Sequence, residues 1–175
     1  TPTPVETLGP LLEEKYNVLY ASDKKHKARR LADMLLKLFR YRKSVSYVLI
    51  DTYSTSNFWY AFACSLLSRI LKVQYITILH GGNLPERLKQ NPRASKMMFQ
   101  HAYQIVSPSG YLKDAFESKG YQVTLIPNHI KINDYPFKSR SHLKPKLLWV
   151  RSFASIYNPQ MTIEAFEQVY RKLPD

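Results

Sequence analysis

The chain has 175 residues, 45% of them hydrophobic, and 26 lysines and arginines against 13 aspartates and glutamates give a formal net charge of +13. That apolar content builds a packed core over one or two domains and excludes an intrinsically disordered chain. The single cysteine, Cys64, excludes a disulfide scaffold and a cysteine-rich zinc module and suits a reducing compartment, and no apolar run reaches the roughly 18 residues that span a bilayer.

Taken in chain order, Thr3-Pro4-Val5-Glu6 has the form of a capping box with proline at the first helical position, so a helix begins there. Apolar β-branched runs then alternate with helical patterns. Strands are predicted over 16–21, 46–53, 73–80, 102–107, 121–126 and 146–152. Several are nearly all apolar, as strands covered on both faces are. Asp23 is placed to cap a helix whose stripe Leu31, Met34, Leu35, Leu38 and Phe39 repeats at i, i+3, i+4, i+7 and i+8. Cys64 falls inside an apolar helix over 58–67, where core packing is its expected role. Asn91-Pro92 and Asn158-Pro159 each pair an N-cap residue with proline at the first helical position. The second opens a helix over 158–172 expected to bury Met161, Ile163, Ala165, Phe166 and Val169 in part.

Strands and helices in this alternation make right-handed βαβ units and a parallel sheet. The fold class is α/β, Rossmann-like. Residues 1–143 are expected to form one domain, with a basic interdomain linker near 129–143, and 144–175 to open a second. No strand precedes the first helix, and a lone βα unit cannot bury both its faces. The expectation is therefore a piece of a longer protein: a first domain lacking its opening strand, and the truncated start of another.

In open parallel sheets ligands bind beyond the carboxyl ends of the strands. The residues there read Ser22-Asp23, Asp51-Thr52-Tyr53-Ser54, His80-Gly81-Gly82-Asn83, Ser107-Pro108-Ser109, Asn128-His129 and Arg151-Ser152-Phe153. Almost all are small, polar or charged, which marks one rim of a cleft. His80-Gly81-Gly82 is the most distinctive: the glycines let backbone approach a ligand, their N–H groups suit an anion, and the imidazole exchanges a proton near neutral pH. A tight turn with a backbone-satisfied histidine is the competing reading. Arg151, at the end of a predicted buried strand, is costly unless a carboxylate or a ligand anion meets it. Asp23 and Asp51 are explained equally well as caps or turn residues. No group of His, Cys, Asp and Glu has metal-ligand spacing, and there is no P-loop or Gly-x-Gly-x-x-Gly, so neither a metal nor a bound cofactor is expected.

Nine cations from Lys24 to Lys43 crowd one helix and its end, and Lys131, Lys138, Arg140, Lys144 and Lys146 form a second group. Three readings stand for the first: a solvated helix face, an anionic membrane surface met by an amphipathic basic helix, and nucleic acid. The aromatics fall in strands and apolar stripes instead of interleaving with the basic cluster, which counts against nucleic acid.

Ile78-Leu79-His80-Gly81-Gly82, Ile126-Pro127-Asn128-His129-Ile130, Leu147-Leu148-Trp149-Val150-Arg151 and Asn158-Pro159 with Glu164-Ala165-Phe166 together resemble glycosyltransferase family 4. The resemblance covers 75–175 directly and the earlier part by topology. It implies the GT-B fold, two Rossmann-like domains with the active cleft between them, and retaining transfer from a nucleotide sugar that enters as substrate, with no cofactor. It implies that His80 serves catalysis, with Gly81 and Gly82 facing the cleft near the sugar or the acceptor. Asn128 would lie on the binding rim, and Arg151 against the donor diphosphate. Two departures stand out: Val150-Arg151 replaces the family's commoner Gly-Arg, and Ile156 or Tyr157 holds the place of a lysine. The expected function is a hexosyltransferase of polysaccharide biosynthesis acting on a glycan or lipid-linked acceptor, cytoplasmic and peripheral at the inner membrane face. The alternative is a basic α/β module that binds anionic lipid or nucleic acid without catalysis.

Overall fold

A computed structural model of the chain describes residues 4–128, 133, 135–139 and 146–172. It divides into two compact units, Thr1–Ile130 and Lys131–Asp175. Thr3, the expected cap, lies outside the described residues, as does much of the linker, including His129, Lys131, Arg140 and Lys144.

The first unit is α/β. Two helices, α1 (Pro4–Glu13) and α2 (Lys27–Tyr41), precede β1 (Tyr47–Tyr53), α3 (Phe58–Ile70) and β2 (Gln74–His80). Then come α4 (Leu84–Gln90), α5 (Pro92–Phe99), β3 (Gln104–Ser107), α6 (Gly110–Glu117) and the short β4 (Thr124–Leu125). The four strands pair in parallel in the order β1-β2-β3-β4, the Rossmann-like sheet that alternating elements predict.

Burial alternates along β1 and β2 with the period of two that a pleat imposes. Ile50, Tyr75, Leu79 and Ile105 point into a core closed by Phe58, Ala61 and Cys64 of α3, Leu84 and Leu88 of α4, Met98 and Phe99 of α5, and Leu112 and Phe116 of α6. Phe99 and Phe116 meet edge to face at 4.9 Å, and Tyr121 joins them at 5.7 and 5.8 Å. Thr52, Thr77 and Ser107 share this face and are buried with it. The other face carries Leu49, Asp51, Tyr53, Ile76, Ile78, His80 and Val106. There Leu49 is exposed and the isoleucines and Val106 are only half-buried, so it is less covered than runs of apolar residues suggest.

Two predicted strands are absent. Residues 16–21 form no ladder: the Tyr20 ring packs so closely on α1 that a Cβ at Gly9 would collide with it, and the Tyr20 carbonyl accepts from Lys37 Nζ at 3.4 Å. With ring and carbonyl engaged locally, the segment runs as an irregular link ending at Ser22, whose φ is 60°. The helix after it starts three residues later than a cap at Asp23 implies, with His26 as its N-cap residue. In the second unit, 146–152 is likewise no strand, because an extended segment is a strand only when a neighbour takes its backbone hydrogen bonds, and none is paired with it among the described residues. Leu147, Leu148 and Val150 are exposed there. A single 3-10 turn, Ser155–Tyr157, leads to Asn158 in the left-handed region at φ 47° and then α7 (Pro159–Lys172). Asn158 Oδ1 accepts from the Met161 N–H at 3.2 Å, the cap that Asn-Pro announces. The expected partial burial of Met161, Ile163, Ala165, Phe166 and Val169 is not found: all five are exposed.

Cys64 is 5% exposed, and burial pushes its thiol up to about 11. The folded state therefore keeps a proton that the unfolded chain loses near pH 8.5, so ionisation favours unfolding. The contribution is complete below that pH and is lost as pH rises towards 11. At pH 8 the native thiol should react with a maleimide at least about a hundredfold more slowly than the thiol of the urea-unfolded chain. Equal rates would place Cys64 outside the core.

Candidate functional site

Parallel register brings the carboxyl ends of β1 and β2 level. Tyr53 lies beside His80 and Asp51 beside Ile78, and the pleat turns Asp51, Tyr53 and His80 to the same face. His80 Nε2 is 3.0 Å from Asp51 Oδ1. A carboxylate only accepts, so Nε2 carries the hydrogen and donates it, which leaves the lone pair of the neutral ring on Nδ1. Nδ1 makes no hydrogen bond among the described residues. The Tyr53 ring stacks on the imidazole with centroids 5.0 Å apart and 21° between the planes. Burial raises the Tyr53 phenol above its ordinary pKa, and the charge of Asp51 adds to that. His80 itself is 9% exposed, braced at its edge by Asp51 and across its face by Tyr53.

The backbone turns directly after it. Gly81 has φ 87°, a conformation that side chains with a Cβ rarely adopt. Gly82 is different: its φ is not positive, and a Cβ there would meet nothing within 4 Å. Neither backbone strain nor crowding calls for glycine at 82, so its bare backbone borders open space. The N–H groups of Gly81, Gly82 and Asn83 donate to no backbone carbonyl among the described residues.

Arg87, from α4, fixes the neighbouring loop. Its Nε donates to the Ser54 carbonyl at 2.8 Å, Nη2 donates to the same oxygen, and Nη1 donates to Asn91 Oδ1 at 3.0 Å. The guanidinium lies 5.6 Å from the centre of the Phe58 ring. Four contacts from one planar fork tie the β1–α3 loop to α4 and α5 beside Gly81. Ser107, at the end of β3, spends its hydroxyl on the turn, donating to Ser109 O at 2.7 Å, while Ser109 Oγ caps α6 by accepting from the Leu112 N–H.

His80, Gly81 and Gly82 thus stand together at the end of β2. Asn128 is exposed three residues beyond β4. Arg151 belongs to the second unit, and the expectation of a cation ending a buried strand is corrected: it is exposed, on a segment that forms no strand. Its guanidinium lies 5.3 Å from the centre of the Tyr157 ring, the residue at the place of the missing lysine. Its carbonyl accepts from Trp149 Nε1 at 2.9 Å. Sequence reasoning did not find the roles of Asp51, Tyr53 and Arg87. For the first two the signal was present, since carboxyl-end residues two apart on one strand share a face. Arg87 carried none, being one cation among many.

Two shallow hollows, of ≈ 380 and ≈ 390 Å³, lie elsewhere: one beside Arg69, Lys72, His101 and Tyr103 at the amino ends of β2 and β3, the other around Asn91 and Arg93. Neither reaches His80. The geometry at His80 outweighs the volume, because there a ring with an available lone pair adjoins unpaired backbone donors. Among the described residues no three of His, Cys, Asp and Glu gather around one point. No family model, curated protein or solved structure matches the chain.

With Nε2 as the donor, Asp51→Asn should lose the tautomer preference, since an amide both donates and accepts. The population of the Nε2–H form of His80, read from ring nitrogen shifts by NMR, should fall relative to the other tautomer by about tenfold. An unchanged tautomer would mean that Asp51 does not orient the ring.

Proposed function

We propose that this chain supplies the acceptor-side machinery of a retaining glycosyltransferase of GT-B type, which moves a hexose from a nucleotide sugar to a glycan or lipid-linked acceptor. The observation that carries the reading is His80, held by Asp51 and Tyr53 and followed by the open turn at Gly81 and Gly82. In retaining transfer the bond from the anomeric carbon to the diphosphate oxygen breaks, and the acceptor hydroxyl oxygen bonds to that carbon on the same face. The acceptor proton leaves with the departing nucleoside diphosphate. Such chemistry asks the protein for position and charge rather than for a nucleophile.

A fixed imidazole suits that task. His80 Nδ1 would accept a hydrogen bond from a hydroxyl of the transferring sugar or of the acceptor and so set its orientation. The N–H groups at Gly81 and Gly82 would receive a developing negative charge at close range. Arg151 would meet the donor diphosphate as a planar fork. A Tyr157 ring at the face of the guanidinium would leave its in-plane N–H donors for a bound anion.

In the protein that carries this sequence, His80→Ala should lower turnover at saturating donor by more than about tenfold, the effect of losing about 1.4 kcal/mol from the transition state. An unchanged rate would remove His80 from the site.

Arg151→Ala should instead act on the ground state. Nucleotide-sugar affinity, measured by calorimetry, should weaken by about tenfold or more while turnover at saturation changes less. Unaltered affinity would sink the diphosphate assignment.

A further inference from the structure

We propose that the outward face of α2 docks on an anionic bilayer surface, with Leu36 and Phe39 entering the headgroup layer and the surrounding cations meeting lipid phosphates. The inference rests on α2 alone and not on the sugar-transfer reading.

An amphipathic helix is expected to spend its apolar residues on one stripe, and α2 does so with Met34, Leu35 and Leu38, which pack against or within the core. Phe39, expected to continue that stripe, does not pack with it, and with Leu36 it forms a second apolar set beyond the stripe's edge. Leu36 is 67% exposed and Phe39 52% exposed, three residues apart and therefore neighbours on the helix surface. Ala32 extends the patch by one turn, Arg29 and Arg40 share the same face at three- and four-residue steps, and Lys43 stands exposed in the turn just after the helix. The carboxylate nearest to this face, Asp33, is paired with Lys37 at 3.4 Å, and Asp23 with Lys24 at 3.6 Å. Nine lysines and arginines thus stand against two aspartates over 23–43, both of them engaged.

A solvated helix face would account for the cations and leaves Leu36 and Phe39 unexplained. A nucleic-acid surface would use exposed rings as stacking platforms, yet the Phe39 ring is already covered by Arg42, whose guanidinium lies 4.1 Å from its centre and donates to the Phe39 carbonyl at 2.5 Å. That arrangement suits a bilayer edge, where an arginine stem lies along an apolar neighbour and its head reaches a phosphate. Charge complementarity selects anionic over neutral lipid.

The test is sedimentation of the full chain with vesicles of phosphatidylglycerol and phosphatidylcholine in equal parts, against vesicles of phosphatidylcholine alone. Binding to the first and not the second is expected. Leu36→Ser and Phe39→Ser, with every charge intact, should each weaken partitioning by about tenfold. Arg40→Ala with Lys43→Ala should weaken it by about thirtyfold. All four side chains are exposed, so the variants should keep the wild-type circular dichroism. Independently of any variant, wild-type binding should fall when salt rises from about 0.1 M to about 1 M and the Debye length shrinks from about 10 Å to about 3 Å. Equal partitioning into both vesicles, no partitioning into either, or unchanged partitioning of the Leu36→Ser, Phe39→Ser double variant would overturn the proposal. So would displacement from the anionic vesicles by an RNA duplex that binds more tightly than they do.

Discussion

Parallel pairing of β1 with β2, in register from Tyr47 beside Gln74 to Tyr53 beside His80, is the constraint on which the rest of the first unit depends. A slip of one residue would exchange the two faces of one strand relative to the other. Ile50 and Thr52 would leave the core that Tyr75 and Leu79 share, and Asp51 would leave the side on which His80 stands. Core burial on one face therefore holds the register that the other face needs for its polar contact. The hydrophobic term is the larger one, because Leu79 and Phe58 are fully buried, whereas an Asp–His hydrogen bond nets only about 1–3 kcal/mol. Packing determines where Asp51 and His80 meet. Their hydrogen bond then determines which ring nitrogen carries the hydrogen.

Arg87 extends this order from the strands to the loops. Loops at the carboxyl end of a sheet lack a ladder to hold them, and Ser54 and Gly81 belong to two different ones. The two-donor grip of Arg87 on the Ser54 carbonyl, with its third contact on Asn91, supplies a substitute for that ladder. Gly81 can then take its left-handed turn against a loop that is fixed, 3.7 Å from Ser54 Oγ by the position a Cβ would occupy. Preorganisation of this kind matters most for chemistry done by position and charge.

Much of the fold was legible in the sequence, and the reasons differ from element to element. The central strands β1 and β2 were found within a residue because long β-branched runs bounded by polar turns have few other solutions. Asn91-Pro92 and Asn158-Pro159 marked α5 and α7 because proline at the first helical position costs no hydrogen bond. Residues 16–21 and 146–152 misled because a strand needs a partner, and apolar alternation does not reveal whether one is adjacent. The candidate site was half legible. His80-Gly81-Gly82 announces itself by composition, but its brace depends on register between strands 29 residues apart in sequence, from Asp51 to His80, and only the paired sheet displays that.

Under the two proposals, the site and the α2 surface would make one physical demand together. A lipid-linked acceptor stays in its bilayer, so a transferase that uses it must bring its rim of strand ends to the membrane. Apolar insertion alone does not choose among membranes, and charge alone is weakened by physiological salt. Leu36 and Phe39 ringed by Arg29, Arg40 and Lys43 combine the two, as peripheral binding requires when a single weak anchor does not suffice. A water-soluble glycan acceptor would place no such demand on α2. If both proposals hold, the lipid preference of that helix would bear on which acceptor class the proposed His80 site takes.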